Sequence, residues 1–230
     1  MSDMNTYAVI VAGGSGSRMG SPVPKQFMHL LGRPLLCYAI DAFLQAIPGI
    51  KLILVLPASE MSSAQVVCKS YHNNLTATYV SGGETRYQSV QNGLKEIGEN
   101  GIVFVHDGAR PLVSVALIER CYRQALEVGS AIPVIPVTDS IRMAEGDTST
   151  PLNRDNMRIV QTPQAFRTEV LLPAFTQDYI PGFTDEATVV EAHGTPVHII
   201  SGEKINLKVT TPEDMIIAEA LLKARNDATV

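Results

Sequence analysis

The sequence has few of the features that mark several large classes of protein. Its three cysteines, Cys37, Cys68 and Cys121, are too few and too widely spaced for a disulfide scaffold or a zinc site. Basic residues are not in excess, since 18 Lys and Arg stand against 23 Asp and Glu, which argues against sequence-independent binding of nucleic acid. No apolar run approaches the roughly 18 residues of a membrane-spanning helix, and the first residues do not resemble a signal peptide. We therefore expect a cytoplasmic protein that binds neither nucleic acid nor membranes.

What the chain does have is a regular alternation of short β-branched apolar runs and stretches of helical period. This pattern predicts a single Rossmann-like α/β domain over residues 1–230, with a mainly parallel central sheet flanked by helices. Strands are predicted at 7–12, 51–56, 77–80, 102–105, 131–137 and 196–200. Helices are predicted at 34–46, 60–71, 85–97, 115–128, 184–193 and 212–223.

One segment, residues 138–160, departs from this rhythm. Two strand-like pieces, 140–144 and 157–160, flank a turn-rich centre that has too few apolar residues to form another layer of the core. We interpret the segment as a β-hairpin arm that projects from the domain and contacts a partner chain, which predicts a homodimer. A plain surface loop is the alternative.

The strongest local motif is AVIVAGGSGSRMGSPVPKQF, in which an apolar strand leads directly into Gly13, Gly14 and Gly16. Such glycines let consecutive backbone N–H groups approach an anion, which suits a nucleotide triphosphate. The motif lacks the Lys-Ser/Thr of a P-loop, and Met19 stands where a dinucleotide-binding turn needs glycine. It therefore favours neither a Walker-type NTPase nor an NAD enzyme.

Two cations, Arg18 and Lys25, follow these glycines. Phosphoryl-type transfer needs positive charge near the reacting and leaving oxygens more than it needs proton transfer. The pair is therefore a candidate for transition-state stabilisation, and the alternative is a tight turn with two solvated basic residues.

Two further motifs lie where a predicted strand gives way to the next element. GGETR precedes a helix, and its glycines with the helix N-terminus suit a ribose, a base or an anion. HDGARP ends an apolar strand, which makes Asp107 a candidate ligand for Mg²⁺ or substrate and Arg110 a candidate anion partner. A strand-to-helix turn and an internal Asp107–Arg110 salt bridge are the structural alternatives.

With these motifs in hand, the chain resembles the GT-A-like nucleotidyltransferases, because AGGSGSRMG followed by PKQF is similar to their signature loop. The later motifs GGETRYQSV, HDGARP, TPQAF, TDEATVVE and NLKVTTPED narrow the resemblance to the 2-C-methyl-D-erythritol 4-phosphate cytidylyltransferase family over nearly the whole chain. The resemblance implies transfer of CMP from CTP to 2-C-methyl-D-erythritol 4-phosphate, with Mg²⁺ as the divalent cation and pyrophosphate as the second product.

The resemblance also implies roles for individual residues. The family's catalytic cations fall on Arg18, Lys25, Arg154 and Lys208, of which the last two position the attacking phosphate. Nucleotide binding falls on Ala12, Gly13, Gly14, Ser15, Gly16, Gly83, Glu84 and Ser89. Binding of the phospho-alcohol falls on Asp107, Arg110, Ser140, Thr162 and Thr184.

The chain departs from the family pattern at several of these positions. Val11-Ala12-Gly13-Gly14 stands where Pro-Ala-Ala-Gly is common, Glu84 where Asp is common, Ser140 where Thr is common and Gly108 where Ala is common. The Gly-Gly variant also occurs in ribitol-5-phosphate cytidylyltransferases, so synthesis of CDP-ribitol is the alternative function. The TDEATVVE segment favours the methylerythritol enzyme.

Overall fold

The computed structural model describes residues 4–13, 24–73, 75–98 and 100–227. Its strands, in chain order, are β1 (Asn5–Val11), β2 (His29–Leu30), β3 (Arg33–Pro34), β4 (Lys51–Leu56), β5 (Ala77–Ser81), β6 (Gly101–Asp107), β7 (Ser130–Pro136), β8 (Ile141–Glu145), β9 (Thr148–Leu152), β10 (Arg158–Val160), β11 (Gln164–Arg167) and β12 (Ile199–Ser201). Its helices are α1 (Leu35–Ala46), α2 (Met61–Tyr71), α3 (Arg86–Leu94), α4 (Val115–Val128), α5 (Thr168–Ala174), α6 (Glu186–Ala192) and α7 (Pro212–Asp227).

The main sheet has the order β5-β4-β1-β6-β11-β7-β10, and β12 also pairs with β7. Neighbours β5, β4, β1 and β6 are parallel, as are β7 and β12. Strand β11 runs antiparallel between β6 and β7. The predicted mainly parallel sheet with flanking helices is therefore confirmed, with two antiparallel strands: β11, inserted near its centre, and β10, which pairs with β7 at one edge.

Each predicted strand and helix is present, with ends that differ by up to four residues. Sequence reasoning missed β11 and α5, as well as the two-residue strands β2 and β3 and strand β9, which lies in the centre of the segment 138–160. Strand β11 is only four residues long and carries Gln164, which is fully buried, so its apolar run is too short to be recognised. Helix α5 contains Pro173, which normally signals a helix end.

Apolar side chains cover both faces of the sheet. Along β1, Ala8 and Ile10 pack with α1, α2 and α4, whereas Tyr7 and Val9 pack with α3, α5 and α6. This alternation follows from the period of two in a strand. Helix α7 packs separately, against Leu30, Leu35, Leu112 and Val209.

None of the helices in the described part of the chain combines the length and apolar character that crossing a bilayer would require.

Helix α3 packs against the sheet through Gly93, which has no side chain. A Cβ atom at this position would lie 2.7 Å from Val9 Cγ1 and 2.9 Å from Val55 Cγ2, so an added side chain would force α3 or these valines to shift. This contact fixes the height of α3 above β1 and β4. It thereby positions the first turn of α3, which begins at Arg86.

The segment that was predicted as an arm forms a hairpin of β8 and β9, in register from Ile141 opposite Leu152. Gly146 adopts φ +60° in its turn. The predicted pairing of 140–144 with 157–160 was wrong, because β10 pairs with β7 at the end of the main sheet. The hairpin therefore closes within 141–152, and the chain rejoins the sheet at Arg158.

Candidate active site

The order of the strands reverses between β1 and β6. The chain adds β4 and β5 on one side of β1 and then places β6 on the other side. In open α/β sheets such a switch point leaves a crevice at the carboxyl ends of the strands, where ligands bind. Here the crevice holds a cavity of about 430 Å³. Its lining consists of Val11, Ala12, Gly13, Lys25, Gln26, Gly83, Glu84, Thr85, Arg86, Ser89, Asp107, Ala109 and Lys208.

The turn before α3 forms one wall of this first cavity. Gly83 N–H donates to Ser89 Oγ at 3.1 Å, and Ser89 Oγ–H donates to the Thr85 carbonyl at 2.9 Å. Thr85 and Gln88 form a reciprocal capping box. A Cβ atom on Gly83 would lie 2.4 Å from Gln88 Cβ, so the turn requires glycine. These contacts hold backbone groups at the edge of the cavity, which is the arrangement that nucleotide binding needs.

A second cavity, of about 320 Å³, adjoins the first. Arg86, Asp107 and Lys208 line both cavities. The rest of its lining is Arg110, Val160, Gln161, Thr162, Gln164, Thr184, Asp185 and Thr188. Two ligands bound side by side would therefore meet at a shared wall of two cations and one carboxylate, with a third cation, Arg110, beside it in the second cavity.

Asp107 is the common partner of these cations. Its Oδ2 lies 2.9 Å from Lys208 Nζ and 3.6 Å from Arg110 Nε, and its Oδ1 lies 3.3 Å from Arg86 Nε. Burial alone would raise the pKa of Asp107, but the neighbouring charges of Arg86, Lys208 and Arg110 hold it well below its usual range. Asp107 is therefore ionised and orients the cations around it.

Arg86 also pairs with Glu186, the first residue of α6. Arg86 Nη1 lies 2.5 Å from Glu186 Oε1, and Nη2 lies 3.2 Å from Oε2. Glu186 is fully buried, and this burial raises its pKa despite the guanidinium beside it. The bidentate pair joins the first turn of α3 to the first turn of α6 and so connects the two cavities.

The segment that carries Lys208 is held by backbone contacts. Arg110 Nη1 donates to the Asn206 carbonyl at 2.8 Å, and Asn206 Nδ2 donates to the Thr162 carbonyl at 2.8 Å. Val209 N–H donates to the Ala109 carbonyl at 2.8 Å. Because both flanks are anchored, the half-exposed Lys208 side chain is presented to the cavities from a fixed backbone.

The structure brings together most of the residues that sequence analysis nominated. Ala12, Gly13, Lys25, Gly83, Glu84, Ser89, Asp107 and Lys208 line the first cavity, and Arg110, Thr162 and Thr184 line the second. Gly14, Ser15, Gly16 and Arg18 lie outside the described residues. Ser140 and Arg154 are exposed and line neither cavity, and Arg154 Nη1 donates to the Thr138 carbonyl at 2.6 Å.

The residues around Asp107 do not fit a Mg²⁺ ion bound to the protein. Both carboxylate oxygens of Asp107 already face cations, and a divalent cation prefers a set of oxygen ligands with uncompensated negative charge. Among the described residues, no group of three or more His, Cys, Asp or Glu side chains is arranged to hold a metal. This geometry therefore gives no support to the prediction that Asp107 ligates Mg²⁺, because the partners of Asp107 in the structure are Arg86, Arg110 and Lys208.

Sequence reasoning missed Glu186 and Gln164 as parts of the site. Gln164 Nε2 donates to Asp185 Oδ2 at 2.8 Å, and its Oε1 accepts from Ala187 N–H at 2.9 Å, so it fixes the start of α6. The available signal was a carboxylate and an amide inside otherwise apolar stretches, which are rarely buried unless they have partners. The partners themselves are distant in sequence.

Two adjoining cavities at a switch-point crevice, with cations on their shared wall, define the class: an α/β nucleotidyltransferase. The chain belongs to the 2-C-methyl-D-erythritol 4-phosphate cytidylyltransferase family, whose model matches residues 6–224. It is 42% identical over 219 residues to the cytidylyltransferase of that name from Bacteroides thetaiotaomicron, covering 95% of this chain and 100% of the relative. It is 43% identical to the one from Phocaeicola vulgatus, with the same coverage.

Solved structures agree with these relatives. The crystal structure of 2-C-methyl-D-erythritol 4-phosphate cytidylyltransferase from Thermus thermophilus matches with a TM-score of 0.78 and 32% identity. The match covers 96% of this chain and 100% of that one. Family membership thus confirms the enzyme class that the sequence motifs predicted.

Proposed function

We propose that this chain transfers CMP from CTP to 2-C-methyl-D-erythritol 4-phosphate, giving 4-diphosphocytidyl-2-C-methyl-D-erythritol and pyrophosphate, in isoprenoid precursor biosynthesis. The observation that carries the proposal is the shared wall of Arg86, Asp107 and Lys208 between the two cavities. CTP would occupy the first cavity, next to Gly13, Gly83 and Ser89, and the phospho-alcohol would occupy the second. The reacting phosphates would then meet at the cations.

In the proposed reaction, an oxygen of the acceptor's phosphate attacks the α-phosphorus of CTP in line. The bond from the α-phosphorus to the oxygen that bridges to the β-phosphate breaks, and pyrophosphate leaves with that electron pair. A phosphate monoester is already an anion near neutral pH, so the attack needs no general base. The work of the protein is to orient the two phosphates and to neutralise developing charge.

Lys25 and Lys208 are the described residues best placed for this work. Both line the first cavity, and Lys208 also lines the second. We propose that Lys25, together with Arg18, stabilises charge on the triphosphate, and that Lys208 orients the attacking phosphate. Asp107 directs the Lys208 side chain towards the boundary between the two cavities, since its Oδ2 lies 2.9 Å from Lys208 Nζ.

Magnesium enters this proposal as an ion carried by the nucleotide. The triphosphate itself offers hard oxygen ligands of the kind that Mg²⁺ prefers, and the protein need not supply a carboxylate cluster. When bound, the ion would neutralise charge on the phosphate oxygens.

We also propose that the enzyme is a cytosolic homodimer in which the arm, residues 138–160, reaches the partner. Met143, Leu152, Ile159 and Val160 are apolar and exposed on the hairpin and β10, which favours burial against another surface. Ser140 and Arg154 would then serve the partner's site.

The free thiols of Cys37, Cys68 and Cys121 support a reducing compartment.

A coupled assay of pyrophosphate release tests the proposed function. We expect release with CTP plus 2-C-methyl-D-erythritol 4-phosphate, and little with ATP, GTP or UTP. Ribitol 5-phosphate is the matched acceptor control, because it tests the CDP-ribitol alternative directly. Faster release with ribitol 5-phosphate, or release that needs no acceptor, would overturn the assignment.

A further inference from the structure

His106 precedes Asp107, which lines both cavities, and yet it has no part in the proposed chemistry. It is the penultimate residue of β6, is fully buried and contacts Phe43 edge to face, with ring centroids 5.4 Å apart. Neither cavity is lined by it. Both of its ring nitrogens, however, have polar partners on residues that line the second cavity.

These partners determine which nitrogen carries the proton. His106 Nε2 lies 3.4 Å from the Arg110 carbonyl oxygen, and a carbonyl only accepts, so Nε2–H must donate. Burial lowers the pKa of His106 to about 3, so the ring is neutral and Nδ1 has a lone pair. Nδ1 lies 3.1 Å from Thr162 Oγ1, and the Thr162 hydroxyl must therefore donate its hydrogen to the ring.

The Thr162 oxygen has a second partner, the Asp107 backbone N–H, which donates to it at 3.0 Å. A hydroxyl has one hydrogen and two lone pairs. With the hydrogen given to His106 and one lone pair occupied by Asp107, a single lone pair is left. Thr162 lines the second cavity, so any substrate group that contacts this oxygen must itself be a hydrogen-bond donor.

We infer that His106 is a positioning residue that fixes the Thr162 hydroxyl as a pure acceptor, and that the enzyme thereby selects a substrate with an alcohol hydroxyl at that point. The inference rests on the proposed function, because it assigns the second cavity to the phospho-alcohol. It adds a specificity rule: an ether, a fluorine or a carbonyl at that point of the substrate has no hydrogen to offer and is rejected.

Acceptor analogues in which one alcohol hydroxyl at a time is replaced by fluorine test the rule, because fluorine is similar in size but cannot donate. We expect one position at which fluorine lowers kcat/KM about 10-fold, mainly through KM, as loss of a buried hydrogen bond predicts. Thr162→Val should abolish the loss of kcat/KM that fluorine causes at that position, which we call the penalty. His106→Phe keeps a ring beside Phe43 but frees the hydroxyl to rotate, so the penalty should shrink to about threefold or less.

His106→Asn is the rescue variant, because the asparagine oxygen takes the place of Nδ1 as acceptor and should preserve the full penalty. A penalty that responds to Thr162→Val but not to His106→Phe would overturn the role of His106. A penalty that responds to neither would show that Thr162 does not contact the substrate.

A spectroscopic measurement keeps the inference testable even where a variant does not fold. Nitrogen-15 NMR of the wild-type imidazole should show Nε2 protonated and Nδ1 unprotonated at neutral pH. A protonated Nδ1 would overturn the inference whatever the enzyme's activity. Absence of pyrophosphate release with every acceptor, alongside the expected tautomer, would instead overturn the proposed function.

Discussion

Lys25 precedes two residues that are held in the core. Gln26 and Phe27 are buried beside it in a single 3-10 turn, Lys25–Phe27, and Lys25 itself lines the first cavity. We expect Lys25→Ala to lower kcat by at least about 100-fold, because removing one group that stabilises transition-state charge commonly costs that much. The fold should be unaffected, which circular dichroism would show.

Lys69→Ala is the matched control for this substitution, since Lys69 is exposed on α2, away from the cavities. Its kcat should stay within about twofold of the parent, as is usual for a surface substitution. Near-parental turnover of Lys25→Ala would remove Lys25 from the catalytic groups.

Glu186 differs from Lys25, because we expect it to contribute both to the stability of the fold and to the geometry of the site. Glu186→Gln removes the charge that faces Arg86, and breaking one partner of a buried ion pair costs up to about 3–5 kcal/mol. Arg86 keeps Asp107 as a second partner, so we expect about 2–3 kcal/mol by urea denaturation. The KM values for both substrates should rise, because Arg86 lines both cavities.

Glu191→Gln provides the comparison for Glu186→Gln, since Glu191 is exposed on the same helix, α6. It should leave both stability and KM unchanged. If Glu186→Gln also leaves the free energy of unfolding unchanged, the Arg86–Glu186 pair does not hold α3 and α6 together.

At the scale of elements, the position of α3 depends on the absence of a side chain at residue 93. Alanine there would place a Cβ atom 2.7 Å from Val9 Cγ1. We expect Gly93→Ala to destabilise by about 1–3 kcal/mol, as overpacking of a core does, although alanine favours helix by about 1 kcal/mol. Thermal and urea unfolding would measure the change.

A compensating substitution separates the clash from other effects of Gly93→Ala. In a Val9→Ala background the nearest contact is removed, so Gly93→Ala should cost less there than in the parent, and the double-mutant cycle gives the difference. Equal costs in the two backgrounds would show that the contact with β1 does not set the height of α3.

Elements of this chain differ in how far sequence reveals them. Strands β1, β4 and β6 are continuous apolar runs because both of their faces are buried, and such runs are easy to recognise. Strand β11 is hidden because Gln164 faces Asp185 and Ala187. The hairpin was expected, but its register was misjudged, since neither β9 nor β10 has a buried face to specify the partner.

The residues of the site likewise divide into those that the sequence reveals and those that it does not. Glycines and cations that follow strand ends indicate one of the two cavities, because the residues of such a turn are neighbours in the sequence. The pairing of Arg86 with Glu186 spans 100 residues, and no local pattern encodes it. Only the resemblance to a family supplied Ser140 and Arg154, and within one chain neither residue lines the first or the second cavity.

At the scale of the whole molecule, the question is whether one chain holds a complete site. Arg154 is exposed on the chain segment that follows the hairpin, and it lines neither cavity. In a two-fold symmetric dimer, an arm that reaches the partner is matched by an arm that reaches back. Each site would then combine Lys25 and Lys208 of one chain with Arg154 of the other.

Mixing two inactive variants tests this arrangement. Lys25→Ala chains lack a residue of the cavity, and Arg154→Ala chains lack a residue of the arm. If sites are shared, a heterodimer of the two variants has one site with both defects and one with neither. Random reassortment of an equal mixture makes about half of the dimers mixed, so about a quarter of the parental activity should return. Mixed dimers isolated by two affinity tags should have half of it, and their complete inactivity would show that Arg154 acts within its own chain.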